Sequence, residues 1–190
     1  AHNNLIGLRP TQGLLSRRGI VPLSHTQDVP GPMARSMTGV TLLLEALAGV
    51  DPDDAQTAES YGRPVERYTE GLNPLALNGA RIGILEDLLL VEPDDAAVAE
   101  VVGAAAGELQ ALGAVIERVA LPEYWDILAP RLDGLFVLVY EFRRDIDAYF
   151  AATPGVPVRS LADLLASGVY HPDVEPALRA SEAMGERSRR

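Results

Sequence analysis

Between Arg81 and Val119 a strand, a helix and a second strand follow one another directly, and few folds accept that order. Arg81–Leu85 is a short isoleucine-bearing strand, and Ala114–Val119 is the second. The stretch between them, Asp94–Leu112, is a long alanine-rich helix. Pro93 and the pair Asp94-Asp95 open it, with a preset φ and negative charge at the positive end of the helix dipole, and Gly113 closes it. A crossover of this length joins parallel strands and is right-handed. The fold class is therefore α/β.

The flanking sequence changes its period several times. Residues 1–35 are rich in Gly and Pro, with short apolar runs (Leu5–Leu8, Gly13–Leu15, Gly19–Leu23), which predict short strands and tight loops; Leu5–Leu8 has the composition of a buried strand. After Ser36 the spacing becomes helical. Met37, Val40, Leu43, Leu44 and Leu47 share a face, Ser36 is placed to cap the helix, and Gly49 stops it. Residues 50–78 are polar and turn-rich, and predict a surface connection with one helical turn near Val65–Thr69. Beyond Pro122, which ends the second strand, a helical region runs from about Glu123 to Ala151, interrupted at Pro130. Leu135, Leu138, Phe142, Ile146 and Tyr149 keep helical spacing along it, and shorter helices follow at Leu161–Ala166 and Pro176–Arg187. The acidic clusters at 51–54 and 92–95 lack the alternating ligands and glycine of a calcium loop, and suit helix starts and loops instead.

Composition narrows the chemistry. The 190 residues contain no cysteine, which removes thiol nucleophiles, disulfides and cysteine metal sites. They contain no lysine either: every basic side chain is arginine, which stays protonated and cannot serve as a general base. With three scattered histidines no metal site is expected, and no cofactor. A net charge of −11 argues against nucleic acid as a partner. The absence of a long apolar run argues against a membrane span. The same charge suits a cytoplasmic or an exported protein, so the compartment is left open, with the cytoplasm favoured. Ala1–Asn4 shows neither an initiator methionine nor a signal pattern and leads straight into Leu5–Leu8, as expected of a piece beginning inside a fold.

Ser24, His25 and Asp28 are the residue types of a hydrolytic triad. Neighbours in an extended segment point to opposite sides, however, so Ser24 and His25 are poorly placed to act on one another. Pro30, Gly31 and Pro32 form a stiff bend that delivers the chain into the helix after Ser36. Arg35 has the wrong charge for a helix start, and an ion pair with Asp28 is the expected compensation, with a clamp on a substrate carboxylate as the alternative. Glu141, inside the apolar run 135–142, needs a partner, and a structural ion pair is favoured over a substrate role.

The blocks Gly7–Thr11, Gly13–Arg17, Gly19–Ser24 and Gln27–Arg35, followed by an apolar helix ending near Ala48-Gly49, resemble the amidase signature family in order and spacing. Leu77–Leu85, Leu112–Val115 and Tyr140–Arg143 fit the same pattern. Residues 16–24, 26–28, 31–36 and 140–143 are most similar to bacterial peptide amidases, which remove the C-terminal amide of peptides. The resemblance covers most of residues 5–165. It implies a mixed β-sheet core covered by helices, of which residues 1–190 form a part: signature-region strands, loops and helix at 1–50, the surface connection at 51–78, and the βαβ unit and helices at 79–190. It also implies serine chemistry with a second serine held by a cis peptide and a lysine. None of the three is carried over to a residue here, so this chain supplies no catalytic residue and is expected to be inactive alone, its partner being the remainder of the same amidase. Thr26, Gln27, Asp28 and, more weakly, Tyr140 are then expected to line the pocket for a peptide or small-molecule amide, or to support residues that do. An A-type amidotransferase component of the same family and a non-catalytic protein of the same fold are the alternatives.

Overall fold

The computed structural model describes residues 3–89, 96–121, 123 and 135–187. The chain divides into two compact units, Leu72–Leu132 and a larger one made from Ala1–Gly71 with Asp133–Arg190. The helices after residue 132 belong with the N-terminal segment in the larger unit.

In the smaller unit, β3 (Arg81–Leu85) and β4 (Val115–Val119) pair in parallel, Arg81 opposite Val115 and Leu85 opposite Val119. The helix between them, α2, spans Ala96–Ala111. Gly113 leaves it at φ 98°, a left-handed conformation that costs glycine little, and its carbonyl accepts from Gly79 N at 2.8 Å. Ile84, Val102, Ala106 and Ile116 line a hollow between helix and sheet. The predicted opening of the helix at Pro93, Asp94 and Asp95 lies outside the described residues.

In the larger unit, β1 (Ile6–Gly7) and β2 (Met33–Ala34) form an antiparallel pair. The expected buried strand Leu5–Leu8 shrinks to two exposed residues, because Met33–Ala34 is its one ladder partner among the described residues. Among the described residues, the other apolar runs of residues 1–35 form no ladder beyond a single bridge between Leu15 and Ala48. Helix α1 (Met37–Leu47) starts where the sequence places it, with Ser36 Oγ accepting from Gly39 N at 3.1 Å. Val40 and Leu44 are its buried apolar residues, together with Leu15 from the preceding loop. Residues 50–78 are less superficial than their polarity suggests. A 3₁₀ turn over Ala55–Ser60 buries Thr57 completely, and the predicted turn near Val65–Thr69 appears at Tyr68–Gly71, tied to α1 by Glu45 accepting from Thr69 N and Oγ1.

The C-terminal half of this unit is helical: α3 (Leu135–Ala152), α4 (Leu161–Ser167) and α5 (Glu175–Arg187). Ile146 and Phe150 of α3 meet Leu161 of α4 and Leu178 of α5 in its core. The helical region expected upstream of α3, around Pro130, lies outside the described residues. The opposite flank of α3 carries the next feature.

Candidate functional site

The turn at Ser24–Asp28 closes on itself. Gln27 N and Asp28 N both donate to Ser24 O, at 3.0 and 2.8 Å. The Asp28 carboxylate reaches back to accept from Leu23 N and Ser24 N, at 2.8 and 3.0 Å. This local use of the carboxylate corrects the expected Asp28–Arg35 ion pair. The two backbone N–H groups lie within the same turn, so they reach Asp28 at a smaller entropic cost than an arginine side chain across the proline bend. Arg35 is exposed and has no ion-pair partner among the described residues.

Helix α3 holds the turn with two carboxylates one helical turn apart. A single oxygen of Glu141, Oε2, accepts from Ser24 Oγ at 2.6 Å, Thr26 Oγ1 at 2.9 Å and Thr26 N at 3.1 Å. Asp145 Oδ2 accepts from His25 N at 2.7 Å. Both acids are buried, and Ser24 is fully so. Like charges at this helical spacing repel. Arg144 offsets this by donating from Nε to Asp145 Oδ1 at 2.7 Å and lying 3.6 Å from Glu141 Oε1. Burial pushes the Glu141 carboxyl up, but the hydrogen bonds from Ser24 and Thr26, with Arg144 nearby, outweigh it and hold the group below the ordinary glutamate range. The partner that Glu141 needs is thus a pair of hydroxyls and an amide 115 to 117 residues away, with the ion pair secondary.

A second pairing fixes the turn from the other side. Arg17 donates to Asp54 from its backbone N (2.9 Å), Nε (3.0 Å) and Nη2 (2.6 Å), and from Nη1 to the His25 carbonyl. Both side chains of this ion pair are buried. Hydrogen bonds from Arg17 hold the Asp54 carboxyl well below the usual aspartate range, against the opposing effect of burial. Arg17 Nη2 also lies 3.1 Å from His25 Nε2. The acidic cluster 51–54 is therefore a lock for residues 16–18: Ser16 Oγ donates to Asp51 at 2.6 Å and Arg18 pairs with Asp53 at 2.7 Å. Nothing in the local pattern of either segment announces this match; the alignment of Ser16-Arg17-Arg18 against three aspartates is visible only once both are placed.

An open hollow beside the turn is lined in part by Arg17, His25, Thr26, Asp28, Arg144 and Asp145. Of the four residues expected at a pocket wall, Thr26 and Asp28 line this hollow and Gln27 does not; Thr26 Oγ1 donates to Glu141, and one oxygen of Asp28, Oδ2, accepts both bonds from the turn. Gln27 is exposed, and its side-chain amide has no hydrogen-bond partner among the described residues. Tyr140 is 55% exposed and is not among the residues lining this hollow. Ser24, His25 and Asp28 do not assemble as a triad, because the serine hydroxyl donates to Glu141 and the histidine ring is turned to Arg17. Among the described residues no group of three or more His, Asp or Glu could hold a metal ion, and no helix is long and apolar enough to cross a membrane.

Comparison with known proteins gives the family of the chain. The family model described as Amidase matches residues 1–164. The native peptide amidase of Stenotrophomonas maltophilia superposes with a TM-score of 0.73 at 34% identity, covering 94% of this chain and 36% of that one. The peptide amidase in complex with the competitive inhibitor chymostatin gives 0.74 at 35% identity, again over 94% of this chain and 36% of that one. Among curated proteins, the A-type subunit of a glutamyl-tRNA(Gln) amidotransferase from Rippkaea orientalis is 42% identical over 120 residues, 63% of this chain and 24% of that protein. A probable amidase of Arabidopsis thaliana is 32% identical over 170 residues, 87% of this chain and 31% of that protein. The chain spans about a quarter to a third of the length of these curated relatives.

Proposed function

The chain belongs to the amidase family, and from that premise we propose that it is part of an amide hydrolase acting on the C-terminal carboxamide of peptides. A serine hydroxyl adds to the carboxamide carbonyl, the C–N bond breaks with release of ammonia, and water then cleaves the acyl ester to give the carboxylate and the free serine. The observation that carries this reading is the match to peptide amidases across 94% of the chain. The match to the amidotransferase component of Rippkaea orientalis is higher in identity but stops at 63% of the chain.

The residues present suit a supporting part in that reaction. A serine attacking an amide needs a base, and a neutral lysine acting through a bridging serine can take the proton. No residue of these 190 is a lysine, so the base is assigned to the portion of the protein that these residues do not cover, and the resemblance to the family assigns both serines there as well. The turn at Ser24–Asp28 is assigned to the wall of the substrate pocket. With Thr26 Oγ1 and one oxygen of Asp28 committed to the protein, exposed Gln27 is assigned the contact with a peptide, because its amide can both donate to and accept from a peptide bond.

The test is ammonia release from a C-terminally amidated peptide by the full-length protein, without tRNA or ATP. Conversion to the free acid with matching ammonia is expected. Ammonia transfer that requires a tRNA-bound acceptor and partner subunits would overturn the reading in favour of the amidotransferase, which the similarity to the Rippkaea orientalis and Microcystis aeruginosa proteins makes the second candidate.

A further inference from the structure

We propose that Glu141 is a positioning residue for peptide binding: its buried carboxylate sets the Ser24–Thr26 turn, and with it the presentation of Gln27. The inference rests on the amide-hydrolase reading above and adds to it a residue that touches no substrate.

The geometry concentrates on one atom. Glu141 Oε2 takes three donors from two residues of the turn, and Asp145, one helical turn on, takes the amide of the residue between them. Three successive residues are therefore referenced to the axis of α3, whose other flank is packed into the core by Ile146 and Phe150. Such a mount is far stiffer than a loop held by its own hydrogen bonds, because moving the turn would strand a buried carboxylate without donors. A helix-mounted wall keeps its shape between substrate encounters, which lowers the ordering cost of binding. Gln27 follows directly on Thr26, and its amide N donates to Ser24 O, so its backbone moves with the clamped residues.

A neutral amide at position 141 keeps the volume but not the charge, and it turns donors toward a site that supplies only donors. In the full-length protein, Glu141→Gln is expected to raise KM for a peptide amide about tenfold, the scale of losing charge-assisted hydrogen bonds, while kcat stays within about twofold. Hydrogen exchange should quicken at the Thr26 amide while Val40 and Leu44 of α1 keep their protection. Thr26→Val, which removes one donor and keeps the shape, should raise KM about threefold, and Thr26→Ser should restore it; this pair serves if Glu141→Gln does not fold. A KM unchanged in both Glu141→Gln and Thr26→Val overturns the proposal, as does an equal loss in kcat with no change in KM. If the wild-type protein releases no ammonia, the amide-hydrolase reading fails. The exchange measurement then decides the clamp, and unchanged Thr26 protection in Glu141→Gln overturns it.

Discussion

Replacing Asp54 by Asn isolates the buried ion pair that pins residues 16–18. The substitution preserves volume, so no cavity opens, but it leaves the Arg17 guanidinium buried against a neutral group. Removing one member of a buried pair costs about 3–5 kcal/mol. Asn keeps one acceptor oxygen for the three Arg17 donors, which favours the lower end, about 3 kcal/mol, or roughly 6–12 °C in Tm for a chain of this size. The pH dependence supplies an independent check. The folded-state carboxyl titrates well below its ordinary value, while in the unfolded chain it titrates near about 3.9. Its contribution is therefore complete above about pH 4–5 and is lost as the pH falls from there toward the folded-state value, because the unfolded chain takes up the proton first. Urea unfolding of wild type and Asp54→Asn should show the full deficit at pH 7 and a narrowing gap below about pH 4. Adding Arg17→Met should recover part of the loss, since no unpaired charge then remains. A deficit below about 1 kcal/mol, or one equal at pH 7 and pH 3, would refute the assignment of a buried charge-assisted pair.

Two further substitutions probe the frame around the turn. A Cβ on Gly31 would lie 2.0 Å from the Leu8 carbonyl oxygen and 3.1 Å from its carbon, a clash with backbone that no rotamer relieves. Gly31→Ala is thus expected to break the bond from Leu8 N to Pro32 O and to lower stability by about 2 kcal/mol or more in thermal melts followed by circular dichroism, whereas Gly19→Ala, with open space around it but φ at 77°, should cost about 1 kcal/mol. Leu161, fully buried among Ile146, Phe150 and Leu178, should cost about 2–5 kcal/mol as Leu161→Ala in urea unfolding, and a loss under about 1 kcal/mol would mean that this cluster is not the core of the helical part.

The accuracy of the sequence-based expectations follows the range over which each interaction is decided. The cap at Ser36, the glycine at 113 and the parallel pairing across α2 depend on residues a few positions apart or on one compact connection, and each is legible as a pattern. The expected Asp28–Arg35 pair failed by the same logic, for the turn amides of Leu23 and Ser24 are nearer to Asp28 than any side chain beyond the bend. Glu141 shows where the sequence becomes silent. Its place in an apolar run requires a partner, yet nothing within that run identifies hydroxyls 115 to 117 positions earlier. Polar residues in a signature block carry no mark that separates those facing a ligand from those facing a buried acid. Thr26, expected at the pocket wall, reaches the hollow but spends its hydroxyl on Glu141. Gln27, one residue along, is exposed, and its side chain has no hydrogen-bond partner among the described residues. A buried carboxylate behind a turn thus decides which of the turn's polar side chains are already spent on the protein, and the sequence of the turn alone does not show it.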